Sequence, residues 1–240
     1  MSKLLIVVAL LPLLPAVDPV RIVCIGDSIT QGRKGGGAAK PTQGWRYPLW
    51  KLLVDAKASV DFVGSLSEGF DGSPDWPDYK GMKFDREHEG HWGWTTQGIR
   101  EKLKDWIKGY TPDVALILLG TNDGGQKLTL DDSAREMAAI IDILRSKNPK
   151  VTVLLGTPFQ HGGPFPEMKT RYEKLAKEKS TAASPVIPVD TSKGFVERPD
   201  ASDTDTVDWV HPNPQGDAKL AGFWFEALQP VLKRLGALKK

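Results

Sequence analysis

A serine, an aspartate and a histidine occur in an order that suits nucleophilic catalysis. Ser28 lies in the segment Gly-Asp-Ser-Ile-Thr, directly after an apolar run at residues 20–25. A serine hydroxyl is a poor nucleophile until a base removes its proton, and histidine is the natural base. His211 follows Asp208 by three residues, so a short turn can place the carboxylate on one imidazole nitrogen and leave the other facing Ser28. The order Ser, Asp, His therefore predicts a catalytic triad.

Two further residues could stabilise the negative charge that forms when a serine attacks a carbonyl group. Asn122 lies in Gly-Thr-Asn-Asp, after an apolar run at residues 114–119, and its carboxamide is a hydrogen-bond donor. Gly93 lies in His-Trp-Gly-Trp, ahead of a helix start at Thr95, and has no side chain to block approach to its backbone N–H. With the backbone N–H of Ser28, these donors predict an oxyanion hole.

The elements that must position these residues are visible in the hydrophobic pattern. Short apolar runs rich in β-branched residues predict strands buried on both faces, at residues 20–25, 60–63, 114–119, 151–155 and 186–189. Segments of helical spacing alternate with them, and the last helix begins at Asn213 as N-cap with Pro214 in its first turn. This alternation predicts a parallel sheet covered by helices on both faces, with ligands at the carboxyl ends of the strands.

Three long irregular stretches lie beside the motifs, at residues 31–44, 65–93 and 193–210. Compact domains seldom keep loops of this length without a use, so we expect them to wall a binding cleft. No repeat, low-complexity tract or linker divides the chain. Residues 17–240 are therefore expected to form a single domain.

Residues 1–16, MSKLLIVVALLPLLPA, have the layout of a secretory signal peptide: one lysine, an apolar stretch, then prolines and a small residue. The apolar stretch is shorter than the roughly 20 residues that a membrane span needs. We therefore expect secretion without a stable membrane anchor. An N-terminal strand or an interfacial helix is the alternative for this segment.

Composition excludes several partners. The chain has 240 residues with 32 Lys and Arg against 30 Asp and Glu, and the resulting charge of +2 is too small for a nucleic-acid binder.

The single cysteine, Cys24, cannot form an intramolecular disulfide, and its apolar surroundings predict a buried thiol. No metal or cofactor is expected, because His88 and His91 lack a third ligand at a recognisable spacing. The glycine run at 35–37 lacks the Lys-Ser/Thr of a phosphate loop.

Four blocks of the sequence resemble those of the SGNH (GDSL) hydrolases. They carry Ser28 in Gly-Asp-Ser-Ile-Thr, Gly93 in His-Trp-Gly-Trp, Asn122 in Gly-Thr-Asn-Asp and His211 in Asp-Trp-Val-His-Pro-Asn. The resemblance implies a three-layer α/β/α sandwich with a five-stranded parallel sheet of flavodoxin-like type. It also implies that Ser28 is the nucleophile, that Gly93 and Asn122 complete the oxyanion hole, and that His211 with Asp208 activates the serine.

Within these hydrolases, the segments at 45–49, 60–65 and 88–94 look like those of carbohydrate esterase family 3, the acetylxylan esterases. This second resemblance implies an acetylated polysaccharide or oligosaccharide as substrate. An indole face stacks well on a sugar ring, so we expect Trp92, Trp94 and Trp209 to contact substrate. Asp27 and Arg46 are further substrate-binding candidates, although Arg46 could instead pair with a carboxylate such as Asp27.

Three functions remain open at this point. The first is a secreted serine esterase that removes O-acetyl groups from carbohydrate through an acyl-enzyme intermediate. The second is a broad-specificity arylesterase or lysophospholipase of the same fold, which would want an apolar acyl channel in place of polar, tryptophan-rich loops. The third is a non-catalytic glycan-binding domain. The presence of every catalytic residue type argues against the third function.

Overall fold

A parallel β-sheet forms the centre of the computed structural model, which describes residues 18–36 and 40–239. Its strands are β1 (Val20–Gly26), β2 (Val60–Val63), β3 (Glu89–Gly90), β4 (Val114–Leu118), β5 (Thr152–Gly156) and β6 (Val186–Val189). The order across the sheet is β2-β1-β4-β5-β6, and the two-residue β3 pairs with the carboxyl end of β1. The five predicted strands are confirmed, and β3 is an addition that the hydrophobic pattern did not reveal. The predicted signal peptide lies outside the described residues.

Helices cover both faces of the sheet. They are α1 (Ser28–Gln31), α2 (Arg46–Asp55), α3 (Thr96–Trp106), α4 (Leu130–Lys147), α5 (Phe165–Lys179) and α6 (Pro214–Arg234). Helices α2 and α6 pack in one core with Ile22 and Cys24 of β1, whereas α3, α4 and α5 pack in a second core with Val23 and Ile25. Alternate residues of one strand thus serve opposite cores, which gives the expected three-layer α/β/α sandwich. Among the described helices, none has the length and apolar character needed to cross a membrane.

Cys24 lies on β1, between β2 and β4, and is fully buried with a free thiol. Burial raises its pKa to about 12, because the thiolate would lose its hydration. Cys24 is therefore an unreactive core residue, as its sequence neighbourhood predicted.

Side-chain caps set where the helices near the sheet edge begin. The side chain of Asn213 accepts hydrogen bonds from the N–H groups of Gln215 (2.9 Å) and Gly216 (3.0 Å), which confirms the expected start of α6. Thr95 caps α3 in the same way through the N–H of Gly98 at 3.2 Å. These caps satisfy N–H groups that have no acceptor within the helix.

Candidate active site

Ser28 lies where β1 turns abruptly into the one-turn helix α1 at the carboxyl edge of the sheet. The preceding residue, Asp27, caps α1 by accepting a hydrogen bond from the N–H of Ile29 at 3.0 Å. Ser28 is the first residue of α1, so its own N–H has no acceptor within that helix. This strand-to-helix turn was not evident from the hydrophobic pattern, because four residues are too few to show a helical period.

His211 joins Ser28 to Asp208 through a continuous chain of hydrogen bonds. Its Nε2 lies 2.9 Å from Oγ of Ser28, and its Nδ1 lies 2.9 Å from one carboxylate oxygen of Asp208. The backbone N–H of His211 also donates to Asp208 at 2.8 Å, so the carboxylate holds both the ring and the main chain. The three predicted residues thus meet, although Ser28 and His211 are 183 positions apart in the chain.

Asp208 is charged in this arrangement. Partial desolvation raises the pKa of its carboxyl group, but hydrogen bonds from the N–H and imidazole of His211 outweigh that effect, and the pKa lies below its ordinary value. The Asp208 side chain keeps 45% of its surface exposed, whereas the imidazole of His211 keeps only 16%. Water therefore reaches the hydrogen bond between Asp208 and His211 from the side of Asp208.

Gly93 and Asn122 belong to two loops that are hydrogen-bonded to each other. The carboxamide of Asn122 donates to the carbonyl of Trp94 at 3.0 Å, and Nε2 of Gln126 donates to the carbonyl of Gly93 at 2.7 Å. A carboxamide has a second N–H, which leaves Asn122 a donor for an incoming group. Gly93 has a φ of 78°, and a Cβ at this position would meet no atom within 4 Å. Its backbone is therefore both left-handed and open to a ligand.

The side chain of Gln31 supports the same loop from the other side. Its Oε1 accepts the backbone N–H of Trp92 at 2.7 Å. Gln31 and Gln126 therefore hold the N–H of Trp92 and the carbonyl of Gly93. Sequence reasoning missed both residues, because an isolated glutamine carries no pattern that links it to a loop distant in the chain.

Trp92 stacks directly on the imidazole of His211, with ring centroids 4.7 Å apart and planes 13° from parallel. Phe70 stacks on Trp92 at 4.9 Å and 20°, and the guanidinium of Arg33 lies 5.1 Å from the indole centroid. Arg33 and Phe70 form a β-bridge, so the loops at 31–44 and 65–93 meet behind Trp92. The indole of Trp92 thus stacks on protein groups and stays partly exposed, whereas the sequence predicted a sugar-stacking role for it.

Trp94 and Trp209 have surface available near the site. Trp94 is partly exposed and lines an open depression beside Gly93. Trp209 stands between Asp208 and His211, is 54% exposed, and has a left-handed φ of 69°. Bulky residues rarely adopt that conformation, and it is typical of strained positions at functional sites.

Arg46 and Asp27 require a correction to their predicted substrate contacts, because both are fully buried. The guanidinium of Arg46 donates to the backbone carbonyls of Thr30 (2.8 Å), Arg86 (2.8 Å) and Gln31 (3.2 Å). Burial lowers its pKa to about 10. Arg46 therefore ties α1 to the long loop beneath the site, and Asp27 shapes the turn that carries Ser28.

His88 and His91 lie in a buried polar cluster around Glu89. The carboxylate of Glu89 accepts from Ser65 N–H (2.7 Å) and Tyr110 OH (2.8 Å), and lies 3.0 Å from Nε2 of His91. The part of the chain that the structure describes contains no group of three or more His, Cys, Asp or Glu residues arranged to hold a metal ion. This cluster supports β3 next to the strand that ends at Ser28.

Comparison with known proteins identifies the family. The model of the GDSL-like lipase/acylhydrolase family matches residues 24–219, a range that begins within β1 and includes Ser28, Asp208 and His211. The chain belongs to that family. It is also 29% identical over 250 residues to a multidomain esterase of Ruminococcus flavefaciens, in a match that covers 94% of this chain and 31% of that protein.

Three solved structures resemble this chain over nearly their whole length. A carbohydrate esterase family 3 protein from Talaromyces cellulolyticus is 29% identical, with a TM-score of 0.73 over 90% of this chain and 99% of the other. A family 3 carbohydrate esterase from Clostridium thermocellum is 27% identical, with a TM-score of 0.73 over 91% and 99%. An acetyl esterase mutant with an acetate ion is 28% identical, with a TM-score of 0.74 over 90% and 99%. The chain is thus a member of a lipase and acylhydrolase family, and the solved structures that it resembles include family 3 carbohydrate esterases.

Proposed function

We propose that this esterase removes O-acetyl groups from a polysaccharide or oligosaccharide through an acetyl-serine intermediate. The observation that carries the mechanism is the hydrogen-bond chain from Ser28 through His211 to Asp208. The substrate class is supported by the likeness to family 3 carbohydrate esterases and to an acetyl esterase that holds acetate. The signal-peptide layout of residues 1–16 supports secretion.

In the first half of the proposed reaction, Nε2 of His211 takes the proton of Ser28 as Oγ attacks the acetyl carbonyl carbon. The carbonyl oxygen gains negative charge, which the N–H groups of Ser28 and Gly93 and the carboxamide of Asn122 stabilise. The tetrahedral intermediate then collapses, the bond to the sugar oxygen breaks, and His211 gives its proton to that oxygen. The sugar leaves with a free hydroxyl, and the acetyl group remains on Ser28.

In the second half, His211 takes a proton from a water molecule that attacks the acetyl-serine. The second tetrahedral intermediate collapses as His211 returns its proton to Oγ of Ser28, and acetic acid leaves and ionises to acetate in water. Throughout, Asp208 orients the imidazole and stabilises its protonated form without itself accepting the proton.

The proposal is tested by measuring acetate release from acetylated xylan together with hydrolysis of aryl acetate and aryl octanoate. We expect turnover to fall steeply from the acetyl to the octanoyl ester. Ser28→Ala should lower turnover by about 10⁴- to 10⁶-fold, as expected when a triad nucleophile is lost. Circular dichroism and thermal unfolding of that variant should match the wild type. Equal or faster turnover of octanoate would indicate a lipid-directed esterase, and near wild-type activity in folded Ser28→Ala would refute the mechanism.

A further inference from the structure

An open depression of about 410 Å³ lies directly beside Gly93. Its walls come from Trp92, Trp94 and Gly93 on one side and from Gly98, Glu101 and Lys102 of α3 on the other. Its volume falls in the range of small-molecule sites, which is roughly 300–1,000 Å³. Gly93 belongs both to this depression and to the proposed oxyanion hole, and Trp92, which stacks on His211, also lines the depression. The depression therefore extends the site beyond Ser28.

Trp94 is held firmly in the wall of this depression. Its carbonyl accepts from Asn122 at 3.0 Å, and its ring packs against those of His91 and Trp106, with centroids 5.1 Å and 5.5 Å away. A Cβ at Gly98 would lie 3.1 Å from the indole, so glycine makes room for the ring in the first turn of α3. Glycine inside a helix costs about 0.5–1 kcal/mol relative to alanine. Gly98 therefore weakens the first turn of α3 slightly but leaves space for the indole of Trp94.

The other groups around the depression are polar. Glu101 and Lys102 are exposed on α3, and Gln126 stands at the rim with its amide bonded to the carbonyl of Gly93. An indole beside a carboxylate, an ammonium and an amide matches a ligand with an apolar face and a rim of hydroxyl groups. A sugar ring has those features, whereas an acyl chain would need a continuous aliphatic lining.

Trp92 and Trp94 are both partly exposed and both line the depression, but their rings pack differently. Trp92 stacks nearly parallel on His211 and Phe70. Trp94 is tilted by 39° and 46° against its aromatic neighbours and is partly exposed in the depression. The two tryptophans that flank Gly93 therefore have different surroundings and different capacities for ligand contact.

We infer that this depression, the Trp94 subsite (Trp94, Glu101, Lys102 and Gln126), binds a pyranosyl ring of the glycan next to the acetylated sugar. The inference rests on the proposed function and deepens it, since it states where the leaving-group chain lies. Trp94 supplies the stacking surface, and the polar groups contact ring hydroxyls. A small aryl acetate has no second ring and makes none of these contacts.

The test compares a monoacetylated xylo-oligosaccharide with aryl acetate as substrates. The double variant Glu101→Ala/Lys102→Ala and the single variant Trp94→Ala are expected to lose about 10-fold more kcat/KM on the oligosaccharide than on aryl acetate, mainly through KM. Trp94→Phe keeps an aromatic face and should recover most of that loss. Lys104→Ala changes an exposed lysine of the same helix outside the subsite and should match the wild type on both substrates.

Binding without chemistry provides a second readout. Deacetylated xylo-oligosaccharide titrated into Ser28→Ala should bind more tightly than into Ser28→Ala carrying Glu101→Ala/Lys102→Ala. The surface double variant keeps the test valid if Trp94→Ala does not fold. Equal losses on both substrates, or a selective loss on octanoyl esters, would overturn the subsite. The proposed function would still stand in that case, provided that the wild-type protein releases acetate from glycan. A wild-type protein that hydrolyses aryl acetate but releases no acetate from any glycan would instead overturn the proposed function.

Discussion

The indole of Trp92 lies flat against the imidazole of His211, with planes 13° apart and centroids 4.7 Å apart. The imidazole of His211 is thereby held on its face by Trp92 and at its edge by Asp208. The facial support matters because Asp208 is nearly half exposed, and water weakens its hold on the imidazole. Residues of two long loops, Arg33 and Phe70, lie in turn against Trp92.

Loss of the Trp92 ring should therefore impair every ester substrate. We expect Trp92→Ala to lower kcat on aryl acetate by about 10- to 100-fold, since a small misplacement of a catalytic group has effects of that size. Trp92→Phe retains a stacking ring and should keep most activity. The rate at which an alkyl phosphonofluoridate inactivates Ser28 should fall in parallel, because it also depends on His211. Met82→Ala, at an exposed site on the same long loop, is the control. A loss restricted to polysaccharide would restore the sugar-stacking role predicted for Trp92.

Loss of His211 should reduce activity more than loss of the Asp208 charge, because His211 transfers the proton of Ser28 whereas Asp208 orients the imidazole. The pKa of Asp208 lies below the ordinary carboxyl value, so its carboxylate is available for this role in mildly acidic solution. In steady-state kinetics on aryl acetate, Asp208→Asn should therefore lose less kcat/KM than His211→Ala. The reverse order of the two losses would contradict these roles.

Asn122 has one N–H engaged by Trp94 and a second available to an oxyanion. Asn122→Ala should lower kcat by about 10²- to 10³-fold, the usual effect of deleting one oxyanion donor, with a smaller change in KM. Asn122→Asp keeps the shape of the side chain but removes the donor, and should be similarly impaired. Steady-state kinetics on aryl acetate measures both constants. An effect on KM alone would instead assign Asn122 to substrate binding.

The free energy of unfolding should depend on pH because the buried carboxyl group of Asp27 has a raised pKa. Burial raises its pKa to about 7, although the N–H of Ile29 opposes the shift, whereas an unfolded aspartate titrates at about 3.9. Between about pH 4 and pH 7 the folded protein keeps a proton at Asp27 that the unfolded chain has lost. The contribution of Asp27 to the free energy of unfolding therefore declines as the pH rises. Asp27→Asn retains the acceptor for Ile29 and cannot ionise.

Denaturant unfolding of Asp27→Asn and wild type over this pH window checks the prediction. The free energy of unfolding of the variant, relative to wild type, should increase from about pH 4 to pH 7 and then level off. Asp203→Asn removes a charge at an exposed site and serves as the matched control. A difference between Asp27→Asn and wild type that stays constant across the window would contradict the raised pKa.

The sequence by itself determined the sheet, the main helices and the order of the reactive residues. Runs such as 114–119 are continuously apolar because both faces of the strand are buried, and a continuous apolar run is visible in the sequence. The cap at Asn213 is a local hydrogen-bond pattern and could be predicted for the same reason. Short elements such as α1 and β3 could not, because too few residues carry the period.

The tertiary structure alone decided what each loop side chain contacts. Arg46 and Trp92 both lie in or beside loops, yet one is buried against backbone carbonyls and the other stacks on His211. Neither outcome is encoded in local spacing, since each depends on contacts between segments far apart in the chain. The sequence could therefore name Ser28, Asp208 and His211, whereas only the folded loops show which tryptophan ring stacks on His211.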